Sequence, residues 1–533
     1  MSLTPALRDA TFRWIADDPS TASREELQGV LARAMGGDAA ALEDLQDRMA
    51  GPLTFGTAGL RGPVRAGTNG MNVATVVRTT AGLASWLGTS GLVFVGRDAR
   101  HGSEEFCAAA AEVMAAAGFD VRVLPGPLPT PVLAFLVRRH GAVAGIQITA
   151  SHNPPADNGY KLYLSGGSQI VPPADGEIEK AIEAVPAAVS VPRNASYATV
   201  SEAEIDEYLE RAASLPRQNS RDLKIALTPM HGVGGAFAVE ALRRAGFTDV
   251  HVVRSQAVPD PDFPTVVFPN PEEPGASDEL LSLAASVDAD LAIALDPDAD
   301  RCALGVKDGD TWRMLRGDET GVLLGSLVLS TTESADPLVA TTIVSSSLLK
   351  SIAAAHGARY AETLTGFKWL ARAGEGLVFA YEEALGNCVD PEHVADKDGI
   401  SAAVVAADLA AGLKASGRTL LDALDQLAVD HGLHLTDQVS LRYTDLSLIG
   451  ATMARLRAEP PADFASEDLL PGADVLRWTA DGVRVIVRPS GTEPKLKAYL
   501  EVVEPVTDGL ESARATARQR LEVLRERVTE LVS

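Results

Sequence analysis

Three stretches of the chain carry the same order of apolar run, polar loop and amphipathic run. They are "LVFVGRDARHGSEEFCAAAAEVMAAAGFDVRVL" from Leu92, "KIALTPMHGVGGAFAVEALRRAGFTDVHVV" from Lys224 and "LVATTIVSSSLLKSIAAAHGARYAETL" from Leu338. Each reads as a buried strand, a loop, an alanine-rich helix, a glycine and a further strand. Gly118, Gly246 and Gly357 fall where those helices are expected to end, because a helix C-cap favours left-handed backbone. Strand, helix, strand at this spacing predicts parallel pairing with helices on the sheet faces. Each stretch leads to another short apolar run that stops at a polar loop: "AVAGIQITASHNP", "ADLAIALDPDADR" and "GLVFAYEEALG". Ligands of open α/β sheets gather beyond the carboxyl ends of strands, so these three ends, one per domain, are expected to face a common cleft.

Beyond residue 431 the pattern changes. "VRVIVRPSGTEPKLKAYLEVV" predicts two strands around a tight loop and Asp508 to Ser533 a closing helix, so the last hundred residues read as an α+β domain. Proline- and alanine-rich stretches around 171–195 and 456–472 read as connectors or surface excursions. A length of 533 residues at about 150 per domain gives three or four domains.

Charge narrows the partners. Forty-seven basic against 72 acidic residues give a formal charge of −25, which repels nucleic acid and anionic membrane alike. A small anionic substrate would need cationic groups or a metal to reverse the potential locally. No apolar run approaches the roughly 20 residues of a membrane span, and "MSLTPALRDATFRWIADDP" lacks the basic start and apolar stretch of a secretory signal. Cys107, Cys302 and Cys388 show no CxxC spacing and read as reduced thiols of a cytoplasmic protein, which makes the sequon at Asn194 accidental.

Four motifs carry candidate chemistry. "DPDADR" sets Asp296, Asp298 and Asp300 straight after a strand. Alternate positions on extended chain point the same way, so their oxygens could meet one hard cation such as Mg²⁺; otherwise the run is an acidic solvated turn. An EF-hand fails, because Arg301 stands where that loop needs glycine and Lys307 where it needs glutamate. In "RPSGTEPK", Arg488 precedes a Ser-Gly-Thr turn whose hydroxyls and amides could surround a dianion, or which simply joins two strands. No GxxxxGK[ST] loop is present. "HGVGG" at 231–235 lacks the full dinucleotide fingerprint and the acid that would hold a ribose, so close backbone approach is its expected role; His231 is a cleft residue or a helix-start histidine. Ser151 in "TASHNP" lacks the GxSxG elbow, and the adjacent His152 is poorly placed as a relay base. It is either a turn serine or a carrier of a phosphoryl group, which would need a divalent ion, cations and a substrate hydroxyl rather than a relay.

"TASHNP", "DPDADR", "EEALG" and "RPSGTEPK", in that order and at these distances, closely resemble the motifs of the α-D-phosphohexomutases, with a likeness running from about Thr54 to the C-terminal domain. "FGTAGLRG" at 55–62 resembles the branch that holds bacterial phosphoglucomutases, phosphomannomutase-like enzymes and phosphopentomutases.

The resemblance implies an α/β protein of four domains around a central cleft: 1–205 carrying the phosphoserine, 206–315 the metal, 316–430 the sugar-recognition loop and 431–533 a phosphate site. The first three would share related mixed or parallel sheets flanked by helices. Ser151 would be the phosphoserine and Asp296, Asp298 and Asp300 the Mg²⁺ ligands, with Ser151 completing the set. The phosphoryl group would pass to a sugar 1- or 6-phosphate (or the 5-position of a pentose), and the resulting bisphosphate would return its other phosphate to the serine. Glucose 1,6-bisphosphate or a related compound would act as activator. Glu382 with Glu383 would read the sugar, while Arg488, Ser490, Gly491 and Thr492 would hold the non-reacting phosphate. Arg61, Lys161, Arg301 and Lys397 match positions near the reacting groups, and Lys161 or His152 would exchange the hydroxyl proton. Ala384 departs from the serine found in many glucose and mannose members, which opens a pentose phosphate or looser specificity. Beside phosphoglucomutase or phosphomannomutase stand a phosphopentomutase, a glucose-1,6-bisphosphate synthase and, outside enzymes, a phosphosugar-binding protein.

Overall fold

The three strand–helix–strand stretches fold to one plan. In a computed structural model that describes residues 3–54, 59–88, 90–443, 447–490 and 495–533, the first sheet contains β1 (Leu60–Pro63), β2 (Leu92–Arg97), β3 (Asp120–Pro127), β4 (Ala144–Ile148) and β5 (Asp157–Leu164) in the order β1-β5-β4-β2-β3. The second contains β6 (Lys224–Thr228), β7 (Asp249–Val252), β8 (Leu291–Leu295) and β9 (Cys302–Asp308) in the order β9-β8-β6-β7. The third is β10 (Leu338–Thr342), β11 (Arg359–Thr363), β12 (Leu377–Glu382) and β13 (Gly386–Cys388), ordered β13-β12-β10-β11. In all three the opening strand pairs parallel with the second and third, and the fourth returns antiparallel to the third. The third strand is therefore central, and its carboxyl end is where each polar loop begins.

The helix ends repeat as well. Gly118, Gly246 and Gly357 all have left-handed φ, at 91°, 96° and 67°. The amide after each glycine closes the helix, with Phe119 N bonded to Met114 O, Phe247 N to Leu242 O and Ala358 N to Ala353 O. These are the six-residue bonds of a Schellman ending, which only a left-handed residue at the glycine position permits.

The fourth sheet is antiparallel, with β14 (Leu433–Arg442), β15 (Ala465–Asp468), β16 (Leu476–Ala480), β17 (Val483–Pro489) and β18 (Lys495–Glu504) in the order β14-β18-β17-β16-β15. Helix Leu510–Val532 covers it, burying Ala517, Leu521 and Val528 against Trp478, Val485 and Leu500. Strand and helix both lie where the sequence pattern expects them. The architecture is a four-domain α/β one, with three mixed sheets and one antiparallel sheet flanked by helices.

Three segments go beyond the sequence reading, among them the 456–472 stretch, which contains β15 (Ala465–Asp468). Helices Pro5–Asp17, Thr21–Met35 and Ala39–Arg48 form a small core of their own around Leu27, Leu31, Leu42 and Leu45. The 171–195 stretch, read as a connector or surface excursion, contains helix Ala174–Glu183, which buries Ile178. Its apolar face is only Ile178 and Ile182 among acids and alanines, too narrow a stripe to register as periodicity.

By contact density the chain divides into two units. Met1–Pro216, Leu223–Gly305 and Asp390–Ala407 form the first, and Arg217–Asp222, Val306–Val389 and Asp408–Ser533 the second. The first holds the first two sheets and the second the other two. Cys107, Cys302 and Cys388 are buried thiols outside any disulfide. Among the described residues no single helix is long and apolar enough to cross a membrane.

Candidate active site

Strand β4 is buried along its whole length, so its carboxyl end delivers the following loop to the interior of the first unit. Ser151 is 1% exposed and has a φ of 53°, a left-handed conformation that costs a side chain about 1–2 kcal/mol. Hydrogen bonds hold it there. Its N–H donates to Thr149 Oγ1 at 2.9 Å, and its carbonyl accepts from Arg100 Nη2 at 2.8 Å. The hydroxyl then donates to Asp296 Oδ2 at 2.8 Å, across the two sheets of the unit.

The acids following β8 meet by folding rather than by strand alternation. The Ala299 amide bonds back to the Asp296 carbonyl at 2.9 Å, and Ala299 has a φ of 56°. Extended chain was the expected route to convergence; a turn achieves it, because a cation site needs the three carboxylates within one ligand sphere. One oxygen from each of Asp296, Asp298 and Asp300 lies within 4.8 Å of the others. Gly232 of the "HGVGG" loop supports this turn closely. A Cβ there would sit 2.4 Å from Pro297 Cα, so the expected role of close approach holds.

The oxygens are unevenly used. Asp298 Oδ2 accepts from Thr130 Oγ1 and Lys161 Nζ, at 2.5 and 2.6 Å, and Asp300 Oδ2 accepts from Lys161 Nζ at 2.7 Å. Asp298 Oδ1 and Asp300 Oδ1 are buried without a hydrogen-bond partner among the described residues. Buried carboxylate oxygens left bare are costly unless a cation completes them, so the cluster fits a metal ion.

Cations crowd the same place. Lys161 lies on β5 opposite Gln147 of β4, and Lys397 Nζ stands 3.4 Å from Asp300 Oδ2. Burial would lower the Lys161 pKa, but Asp298 and Asp300 outweigh it and hold the ammonium charged. For Asp300, burial raises the carboxyl and Lys161 and Lys397 bring it below its ordinary value. Arg61 reaches Asn153 Oδ1 at 3.4 Å, and burial and then Arg301 depress its pKa. Burial, Arg301 and Arg61 push His152 well below the usual imidazole range. These cations offset the buried carboxylates locally, against the acidic balance of the whole chain.

The remaining candidates lie in the second unit. Glu382 ends β12, buried, and pairs in register with Gly386 of β13. Glu383 Oε2 accepts from Thr342 Oγ1 at 3.1 Å and Ser345 Oγ at 3.3 Å. Gly317 touches this loop so closely that a Cβ would lie 1.8 Å from the Glu383 carbonyl oxygen. Burial and then Asp318 raise the Glu383 carboxyl above its ordinary value, and Arg488 on β17 opposes them only in part. Ser490 N donates to Lys495 O at 2.8 Å, while Gly491 and Thr492 lie outside the described residues, as do Phe55 to Ala58 of "FGTAGLRG".

Sequence reasoning passed over Arg100, Thr130 and Asp396. Asp396 Oδ2 accepts from Tyr163 OH and Gln169 Nε2, both at 2.7 Å, one residue before Lys397. The signal for Arg100 was present, since "GRDARHGS" follows β2 just as "TASHNP" follows the adjacent β4. Thr130 opens a helix and carries no motif; only the fold brings it to Asp298.

A buried hydroxyl bonded to one of three convergent acids and ringed by cations is suited to phosphoryl transfer. Four phosphoglucomutase/phosphomannomutase family models match in chain order: α/β/α domain I over residues 52–188, domain II over 206–309, domain III over 316–429 and the C-terminal domain over 442–508. The chain is 42% identical to a protein of Haemophilus influenzae named "Probable phosphomannomutase", over 81% of this chain and 93% of that one. It is 32% identical to the phosphopentomutase of Mus musculus, over 95% and 92%. Its fold matches the crystal structure of a phosphoglucomutase/phosphomannomutase family protein from Burkholderia thailandensis with a TM-score of 0.70 at 21% identity, covering 90% of this chain and 97% of that one. These matches define a phosphosugar mutase, an isomerase of the intramolecular phosphotransferase kind. The chain belongs to the α-D-phosphohexomutase family.

Proposed function

We propose that the chain interconverts sugar 1- and 6-phosphates of the glucose or mannose series, with Ser151 as the carrier of the phosphoryl group. The observation that carries this reading is the 2.8 Å bond from the Ser151 hydroxyl to Asp296, beside two acids with bare buried oxygens. In the forward step a sugar hydroxyl attacks phosphoserine in line. The bond from phosphorus to Ser151 Oγ breaks as the bond to the sugar oxygen forms, and the hydroxyl proton leaves to a base. The bisphosphate then presents its other phosphate, and the same exchange in reverse restores phosphoserine. Mg²⁺ held by Asp296, Asp298, Asp300 and the phosphoserine would neutralise charge on the transferring group.

The protein's own groups divide the work. Lys161, paired with Asp298 and Asp300, keeps a fixed positive charge at the reaction centre, and Arg61, Arg301 and Lys397 add to it. Lys161 or His152, both beside the nucleophile, is assigned the exchange of the hydroxyl proton. In the second unit Glu382 with Glu383 is assigned to sugar hydroxyls. Arg488, Ser490, Gly491 and Thr492 are assigned to the non-reacting phosphate, which spends remote binding energy on orientation. The domain roles follow as 1–205 for phosphoserine, 206–315 for metal, 316–430 for sugar and 431–533 for phosphate. Three buried thiols without a disulfide accord with a cytoplasmic setting.

A pentose phosphate is the second reading, supported by Ala384 in the sugar loop and by the phosphopentomutase relative. Turnover of glucose 1-phosphate, mannose 1-phosphate and ribose 1-phosphate, each with trace glucose 1,6-bisphosphate, separates the two. A hexose preference is expected; preference for ribose 1-phosphate would replace the first reading by the second. Accumulation of bisphosphate from an added phosphoryl donor would identify a bisphosphate synthase instead.

A further inference from the structure

One side chain from outside the turn that carries Ser151 binds four of its carbonyls. Arg100 Nη2 donates to the carbonyls of Ser151 and Asn153, at 2.8 and 2.6 Å, and Nη1 to those of Pro154 and Asp157, at 2.7 and 3.1 Å. Those carbonyls span the whole connection from β4 to β5. A planar guanidinium can serve several acceptors spread along a chain, whereas a lysine ammonium presents its donors from a single point. Arg100 is itself fixed and buried. Its amide donates to Asp98 Oδ1 at 3.0 Å, its guanidinium lies 3.4 Å from Asp98 Oδ2, and Ser103 Oγ donates to the same carboxylate at 2.6 Å.

A second support comes from the sheet that carries the acids. The ring of Phe263 lies 5.0 Å from the Arg100 guanidinium, in cation–π contact. Phe263 is buried with a left-handed φ of 46°, and His231 secures its loop. The His231 carbonyl accepts from Asp260 N at 3.0 Å, His231 Nε2 meets Thr265 Oγ1 at 2.9 Å, and the two rings stand edge to face. Val233 N then donates to Pro297 O at 2.8 Å, inside the acid turn. Contacts therefore run without a break from Pro297 through His231 and Phe263 to Arg100 and Ser151. The "HGVGG" loop, which plays no part in the chemistry, is one end of this brace.

We propose that Arg100 is a positioning residue for phosphoryl transfer, its guanidinium braced on Phe263 so that the Ser151 hydroxyl is registered against the Asp296 turn. The proposal rests on Ser151 being the phosphoryl carrier. Arg100 touches no reacting atom and acts by fixing the carbonyls of the nucleophile turn. Displacement of a reacting group by about 1 Å costs on the order of 10²-fold in rate, which sets the expected effect.

The test uses the full chain and the variants Arg100→Lys, Phe263→Leu and Ser151→Ala. The readouts are kcat and KM for glucose 1-phosphate, the rate of protein phosphorylation by glucose 1,6-bisphosphate from intact mass, and the thermal midpoint. Arg100→Lys is expected to lower kcat and the phosphorylation rate together by about 10²-fold with KM within about threefold, and Phe263→Leu to lower both by about tenfold. A lysine variant with wild-type kcat, or one whose loss lies in KM, overturns the proposal, as does a loss accounted for by the unfolded fraction. If Arg100→Lys does not fold, Phe263→Leu decides alone, and wild-type kcat there is fatal. Ser151→Ala distinguishes the levels. Wild-type turnover in that variant removes the Ser151 assignment itself, whereas an inactive Ser151→Ala with a fully active Arg100→Lys removes only the role of Arg100.

Discussion

Asp296, Asp298 and Asp300 in the first unit and Asp318 and Glu501 in the second are both groups of acids with basic side chains nearby, the first fully buried, the second half-buried at Asp318 and buried at Glu501. In the second, the oxygens are used up. Glu501 Oε1 accepts from Ser346 Oγ, Ser347 N and His434 Nδ1, at 2.8, 2.7 and 3.1 Å, and Arg484 Nη2 is 2.8 Å from Oε2. Asp318 Oδ1 accepts from Ser346 N at 2.7 Å and Tyr381 OH at 3.1 Å. Among the described residues none of these acids has a buried oxygen without a partner, whereas Asp298 and Asp300 each have one. Acidity and burial therefore do not mark a site by themselves. Bare oxygens on two convergent acids do, and they separate a cation-ready cluster from a structural network.

Substitution should separate the two most widely. Asp298→Asn is expected to lower kcat by about 10³-fold or more while the protein stays folded, because a ligand and a charge are lost at the reaction centre. Glu501→Gln should keep kcat within a few-fold. Its cost, about 3 kcal/mol, should appear in the stability of the second unit, since Arg484 loses a buried partner. Denaturation curves and steady-state rates on both variants check this; a dead but stable Glu501→Gln would erase the distinction.

Metal should act on one cluster alone. Mg²⁺ at about 100 times its dissociation constant is expected to stabilise the first unit by about 2.7 kcal/mol, and chelator to remove both that gain and the activity. Asp298→Asn should show no such shift. Hydrogen exchange of β8 against β14, with and without the ion, assigns the effect to a unit.

The pH dependence of the second cluster is the finest comparison. Burial raises Glu501, but His434 and Arg484 outweigh it and bring the carboxyl down to about 2. That group stabilises the fold above its unfolded value of 4.5, and its contribution is lost as pH falls toward 2. Asp318 runs the other way. Burial, with Glu501 adding to it, pushes its carboxyl up to about 6 from 3.8, so its contribution is full below 3.8 and lost as pH rises through 6. Asp318→Asn keeps an acceptor for Ser346 and Tyr381 and should gain about 1 kcal/mol at pH 7.5 and nothing at pH 4. Stability measured at both pH values checks the sign; an equal loss at both would mean the acid is needed charged.

Much of this was readable before folding. The glycines at 118, 246 and 357 and the apolar runs before Ser151, Asp296 and Glu382 signal three copies of one sheet plan, because Schellman endings and central strands demand particular residues locally. The acid motif was readable too, but not its shape, since the left-handed Ala299 that folds the turn carries no sequence signal. Ala174–Glu183 escaped because its apolar stripe is narrow, whereas Leu27, Val30, Leu31 and Ala34 of Thr21–Met35 have full helical spacing and were legible but passed over.

Local chemistry thus determined the strands, the helix ends, the motif order and the identity of the acids, all set by short-range patterns of residues. Tertiary structure alone decided which groups meet. It brought Ser151 to Asp296, Thr130 and Lys161 to Asp298, and the Arg100 guanidinium to four carbonyls of the nucleophile turn. Such pairings join residues up to 168 positions apart. They depend on how the sheets pack, which is a property of the buried surfaces together and of no single stretch of chain.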